Sequence, residues 1–166
     1  TYPIEIGFIT EVEQIGCTLI KPLPQWTTWH LEAEALHGIS RELLAEKGKD
    51  IIWVAKWLNQ HLQDRTVYSD GWGNDMCWLG LLFNEAEIVQ TFKIESLLTL
   101  LTEQEKEQWS DIHDRIIAQA SLARHRASSD AKMIQQTYIQ LAQKVSYKLS
   151  LQEKSVQQIA VNAVTG

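Results

Sequence analysis

The sequence predicts an α/β domain with a mixed β-sheet flanked by helices. Three observations predict it. Two short apolar stretches near the N-terminus, separated by a polar turn, have the pattern of an antiparallel hairpin. Strand-sized apolar runs then intermix with helical apolar stripes, the order of an α/β rather than an all-α chain. A length of 166 residues, 45% hydrophobic and 22% charged, suits one domain with a sizeable core.

Tyr2 to Thr10 reads as a strand, with Ile4, Ile6 and Phe8 alternating with Glu5, Gly7 and Ile9. Glu11 to Gly16 is a polar turn, and Cys17 to Ile20 is the second strand, ended by Pro22 and Pro24. Gln25 to Ile39 is compact and aromatic, with Trp26 and Trp29. Ser40 suits the N-cap of a short helix through Ala45, ended by Gly48. A helix over Asp50 to Leu62 puts Ile51, Val54, Ala55, Leu58 and Leu62 on one face.

Thr66 to Ser69 has the size of a buried strand, and residues 70–74 are turn chemistry. Asp75 is expected to open a helix carrying Trp78, Leu79, Leu82 and Phe83. Val89 to Ile94 is a strand candidate, and Leu97 to Leu101 a short helix. Thr102 to Ala123 is helical, with Thr102 and Glu105 spaced as a capping box and Trp109, Ile112, Ile116 and Ile117 as the apolar face. The last helix is expected after Ser128 or Ser129, with Ile134, Tyr138, Leu141 and Val145 as its stripe. The expected organisation is a domain over 1–150 and a polar C-terminal tail over 151–166 that frays or packs as an addition.

A net charge of −6 argues against a protein that coats nucleic acid by neutralising phosphates, but not against an enzyme holding a few nucleotides. Two cysteines, Cys17 and Cys77, make no disulfide framework. No apolar run has membrane-spanning length and no signal peptide is visible, so the expected location is cytoplasmic, with no membrane partner. Seven tryptophans, all before residue 110, are expected as core or pocket wall. An exposed tryptophan patch would allow a homodimer.

Four stretches carry a resemblance: YPIEIGFIT, AEALHGIS, VYSDGWGNDMCWL and HRASSDA, in that order over residues 2–145. Together they resemble the DEDDh-type 3′–5′ exonucleases, the DnaQ-like branch of the RNase H-like superfamily. YPIEIGFIT looks like the family's second strand. Asp75, followed by Trp78 and Leu79, looks like the second catalytic motif, and His125 with Asp130 looks like the third, His-x4-Asp. The resemblance implies an RNase H-like fold and a metal-dependent hydrolase. It would release nucleoside monophosphates from the 3′ ends of single-stranded DNA or RNA. Two divalent ions, Mg²⁺ or Mn²⁺, about 3.5–4 Å apart would activate water and stabilise the leaving oxygen. It assigns Asp75 and Asp130 to the metals and His125 to the nucleophilic water, a role suited to an imidazole of ordinary pKa about 6.5. It places His37, Gly38 and Ile39 at the 3′-terminal nucleotide. Trp72 is either a base-stacking platform or a core aromatic.

The bland alternatives stand beside these. His125 is flanked by Arg124 and Arg126 and reads equally as a solvated loop histidine. Asp75 and Asp130 read as first-turn acids favoured by a helix dipole, and Asp70, at a strand end, rivals Asp75 for a metal. His37-Gly38-Ile39 is also a tight turn before a helix. Glu34-x-x-His37 has the form of half a di-iron motif, but no second Glu-x-x-His is present. One departure from the family is large. Its first motif, Asp-x-Glu, lies on a central strand upstream of the YPIEIG stretch, and these 166 residues do not contain it. Glu5 is on the wrong strand to replace it. The expectation is a trimmed N-terminus; the alternative is a catalytically inactive nucleic-acid-binding or protein-interaction module.

Overall fold

Strand β1 (Pro3–Ile9) is buried at all seven positions, so its alternation separates two covered faces rather than inside from outside. Ile4, Ile6 and Phe8 point into the larger core, and Ile9 into a second one. The computed structural model describes residues 1–120, 126–146 and 157–163, the last four of the middle stretch and all of 157–163 as backbone alone.

A mixed five-stranded sheet organises the molecule, in the order β2-β1-β5-β3-β4. β2 (Ile15–Leu19) pairs antiparallel with β1, Phe8 opposite Gly16 and Glu5 opposite Leu19, as the hairpin pattern predicts. β3 (Thr66–Ser69) and β4 (Lys93–Ser96) run parallel. β5 (Gln157–Ala163) fills the centre, antiparallel to β1 and parallel to β3. That strand comes from the stretch expected as a polar tail. Its Gln157, Gln158 and Asn162 break the apolar run that marks a central strand, so composition gave no signal for it.

On one face lie α2 (Arg41–Lys47), α3 (Ile51–Leu62) and α4 (Trp72–Glu85), preceded in the chain by the short α1 (Leu31–His37). α1 forms where the sequence suggested only a compact aromatic segment, and Gly38 ends it at φ 67°, the left-handed conformation that glycine adopts without strain. Ser40 caps α2 by accepting the Leu43 N–H, and Asp50 caps α3 by accepting the Ile52 N–H. The five apolar positions expected along α3 are all buried. α4 begins at Trp72, so Asp75 sits at the end of its first turn instead of opening it, and Gly71 takes the N-cap place.

The strand expected over Val89 to Ile94 is displaced to β4, and Val89 is 82% exposed. The Asn59 side chain holds the intervening loop, donating to the Val89 carbonyl at 2.8 Å and accepting the Thr91 N–H at 2.9 Å. Those backbone groups are therefore bonded to a side chain rather than to a neighbouring strand.

A 3-10 turn (Leu97–Leu100) leads to α5 (Glu103–Gln119), which opens on the expected Thr102/Glu105 capping box. α6 (Ala127–Ser146) starts slightly earlier than the sequence suggested. Ile112, Ile116, Met133 and Leu141 join these two helices, while Ala131 and Ile134 pack with Ile9 on the other face of β1. Of the expected α6 stripe, Ile134 and Leu141 are buried, Tyr138 is partly buried, and the Val145 side chain lies outside the described residues. Among the described residues no helix is long and apolar enough to cross a membrane.

Candidate functional site

Asp75 is the most unusual titratable group at the expected site. β3 ends at Ser69, residues 70–71 turn the chain, and the first turn of α4 carries Asp75 back over the strand end, its N–H bonded to the Gly71 carbonyl at 3.1 Å. The carboxyl is 5% exposed and accepts a hydrogen bond from the buried Ser69 hydroxyl. Burial pushes its pKa up to about 7; the Ser69 bond opposes that shift, and the neighbouring Asp70 charge adds to it. This acid therefore titrates near neutral pH, unlike an ordinary aspartate.

Trp72 opens α4. It is 37% exposed, and its indole N–H donates to the Ile94 carbonyl at 3.2 Å, tying the start of α4 to β4. One edge of the ring is anchored, and part of it remains open to solvent, so Trp72 is not a core aromatic.

His37 closes α1 and is 8% exposed. Its Nδ1 accepts the Ile39 N–H at 3.0 Å, which places the proton of the neutral ring on Nε2. Trp29 stands edge-on to this ring at 6.4 Å, and its indole donates to Glu34 at 2.6 Å. Ile39 is fully buried in the larger core, whereas a side chain at Gly38 would meet open space. A ligand approaching this turn would meet the Gly38 backbone rather than the Ile39 side chain.

Asp130 lies in the first turn of α6, half-buried, with its N–H bonded to the Arg126 carbonyl at 2.9 Å. His125 lies outside the described residues. α6 packs on the β1 face that holds Glu5, Gly7 and Ile9, opposite the face covered by α3 and α4. Asp75 and Asp130 are thus carried by helices that pack on opposite faces of the sheet. Among the described residues no group of three His, Cys, Asp or Glu side chains converges to hold a metal ion.

The contact that sequence reasoning missed is at the start of α6. Glu5, 0% exposed, accepts Arg126 Nη2 at 2.6 Å and Nε at 2.9 Å on one oxygen, and the Ala127 N–H at 2.8 Å on the other. The Cys17 thiol on β2 adds a longer contact at 3.6 Å. An acid inside an otherwise apolar strand was the available signal. Its partner, 121 residues away, was not identifiable by spacing.

No protein-family model matches the chain, and no curated protein is similar to it.

Proposed function

We propose that this chain is a DEDDh-type 3′–5′ exonuclease domain of the RNase H-like superfamily, acting on the ends of single-stranded nucleic acid. Asp75 and Asp130 are its metal-directed carboxylates and His125 its general base. The observation that carries the proposal is Asp75: a buried carboxyl at the end of a parallel strand, its pKa near 7, in the motif that the resemblance assigns to catalysis. Strongly perturbed acids of this kind concentrate at functional sites, and crevices at the carboxyl ends of parallel strands commonly hold ligands. The sheet supports the same reading, since a strand lies between β1 and β3, the central place in the sheet.

The described residues do not by themselves fit a two-metal centre. One magnesium ion can be held by one or two carboxylates, with waters and phosphate oxygens completing its six donors, but two carboxylates are too few to bridge and hold a pair of ions. What the chain's own groups offer is a carboxyl whose pKa desolvation raises to about 7, and which an approaching cation would favour in its ionised form. The Ser69 hydroxyl holds that carboxyl in place.

A specific observation favours the second reading, a catalytically silent domain of the same fold that binds nucleic acid or protein. The central strand β5 has the sequence QQIAVNA, without a carboxylate. One experiment separates the two. The protein expressed from its natural reading frame is incubated with 5′-labelled single-stranded DNA and RNA in Mg²⁺ or Mn²⁺. The exonuclease shortens the label stepwise from the 3′ end, and Asp75→Asn, Asp130→Asn and His125→Ala each abolish this. Binding without shortening selects the silent domain. Wild-type digestion by Asp75→Asn would overturn the site assignment.

A further inference from the structure

We infer that Glu5 is a positioning residue, which through Arg126 and the Ala127 N–H fixes the start of α6 and thereby where its first turn presents Asp130. The inference rests on the reading just proposed, because Asp130 belongs to the third motif.

The helix start is held to β1 in two independent ways. The first is polar: the Glu5 carboxylate binds both the Arg126 guanidinium and the Ala127 N–H. The second is steric. A Cβ on Gly7 would lie 2.6 Å from the Ala127 carbonyl carbon and the Ser128 nitrogen, so only glycine lets the first turn of α6 rest on the strand. Farther along, the Gln135 amide donates to the Thr10 carbonyl at 2.8 Å. α6 is thus pinned to β1 at two levels, with a close backbone approach near the first.

Apolar packing would dock this helix more cheaply, because burying a carboxylate is costly even when it is paired. What this arrangement adds is orientation, since two guanidinium nitrogens grip one Glu5 oxygen while the Ala127 N–H holds the other. Here it fixes the rotation and height of a helix whose first turn presents Asp130, bonded through its N–H to the Arg126 carbonyl. Reacting groups need placement of this accuracy, and a misplacement of about 1 Å can cost about a hundredfold in rate.

The test uses the full protein with Glu5→Gln, which keeps the side-chain shape and removes the charge, and with Arg126→Lys, which keeps the charge and removes the second nitrogen contact. NMR follows the Asp130 carboxyl signal and amide exchange along 127–131, and Leu58 methyl signals report the integrity of the α3 core. In either folded variant the Asp130 signal shifts, exchange along 127–131 quickens, and Leu58 is unchanged. An unchanged Asp130 signal in a folded variant overturns the inference, whether or not the protein is a nuclease. In the active enzyme kcat falls about a hundredfold with KM nearly constant, and unaltered kcat also overturns it. Absence of digestion by the wild type refutes the proposed activity alone, and the NMR arm still decides the positioning role. Arg126→Lys serves where Glu5→Gln does not fold.

Discussion

Glu5 and Asp75 are both buried acids, yet their surroundings treat them oppositely. Glu5 meets a guanidinium and a helix-start N–H, partners that favour the ionised form. Asp75 meets a neutral hydroxyl and lies near another acid, so desolvation dominates and its pKa rises to about 7. Burial alone does not decide whether a carboxyl is a structural pin or a poised acid; the charge of its partners does. The first arrangement locks a helix to a strand. The second leaves a group whose protonation changes with small changes in its surroundings, as chemistry at neutral pH requires.

The largest effect expected from this contrast is a pH dependence of stability set by Asp75. Its folded pKa lies above the ordinary aspartate value of 3.8, so between about pH 4 and pH 7 the folded state binds more protons than the unfolded one. Its contribution is fully present below about pH 4, is lost as pH rises through 7, and is flat above. At about 1.4 kcal/mol per pH unit, the loss is on the order of 4 kcal/mol. Asp75→Asn removes this slope. Urea denaturation at pH 4, 5.5, 7 and 8.5 checks it; an unchanged slope in the variant would show that other groups dominate.

Arg126→Met leaves the Glu5 charge buried without its cation. Breaking a buried pair from one side costs about 3–5 kcal/mol, and the lower end applies because the Arg126 side chain is 38% exposed. Chemical denaturation at pH 7 measures the loss. A change below about 1 kcal/mol would place this pair with ordinary surface ion pairs.

Gly7→Ala tests the steric half of the same pin. The new methyl would fall 2.6 Å from α6 backbone, so the helix must move, at about 2 kcal/mol. Faster amide exchange is expected along 127–131, with α3 unaffected.

Ser69→Ala sharpens the other side of the comparison. Loss of the hydroxyl that lowers the Asp75 pKa raises it further and costs about 1 kcal/mol. Carboxyl NMR reads the midpoint directly, and a midpoint moving below that of the wild type would contradict the assigned roles.

Local signals made much of the architecture legible. Ser40, Asp50 and the Thr102/Glu105 pair cap the helices that the sequence assigns to them, because a cap is formed by residues three or fewer apart. The α3 stripe was readable because a helix repeats its face every three to four residues. At the site, the motif pointed to Asp75, but only folding revealed Ser69 as its partner and desolvation as the cause of its raised pKa. The displaced β4 was not legible, because the loop before it depends on Asn59 in a different element.

By itself, then, the sequence determined the α/β class, the hairpin, the capped helices and the acids to inspect. These follow from turn chemistry, periodicity and residue type, which act over a few residues. Tertiary structure alone decided that β5 lies at the sheet centre, that Glu5 pairs with Arg126, and that Asp75 loses its water. Each depends on which distant surfaces meet, and desolvation and charge pairing act through space rather than along the chain.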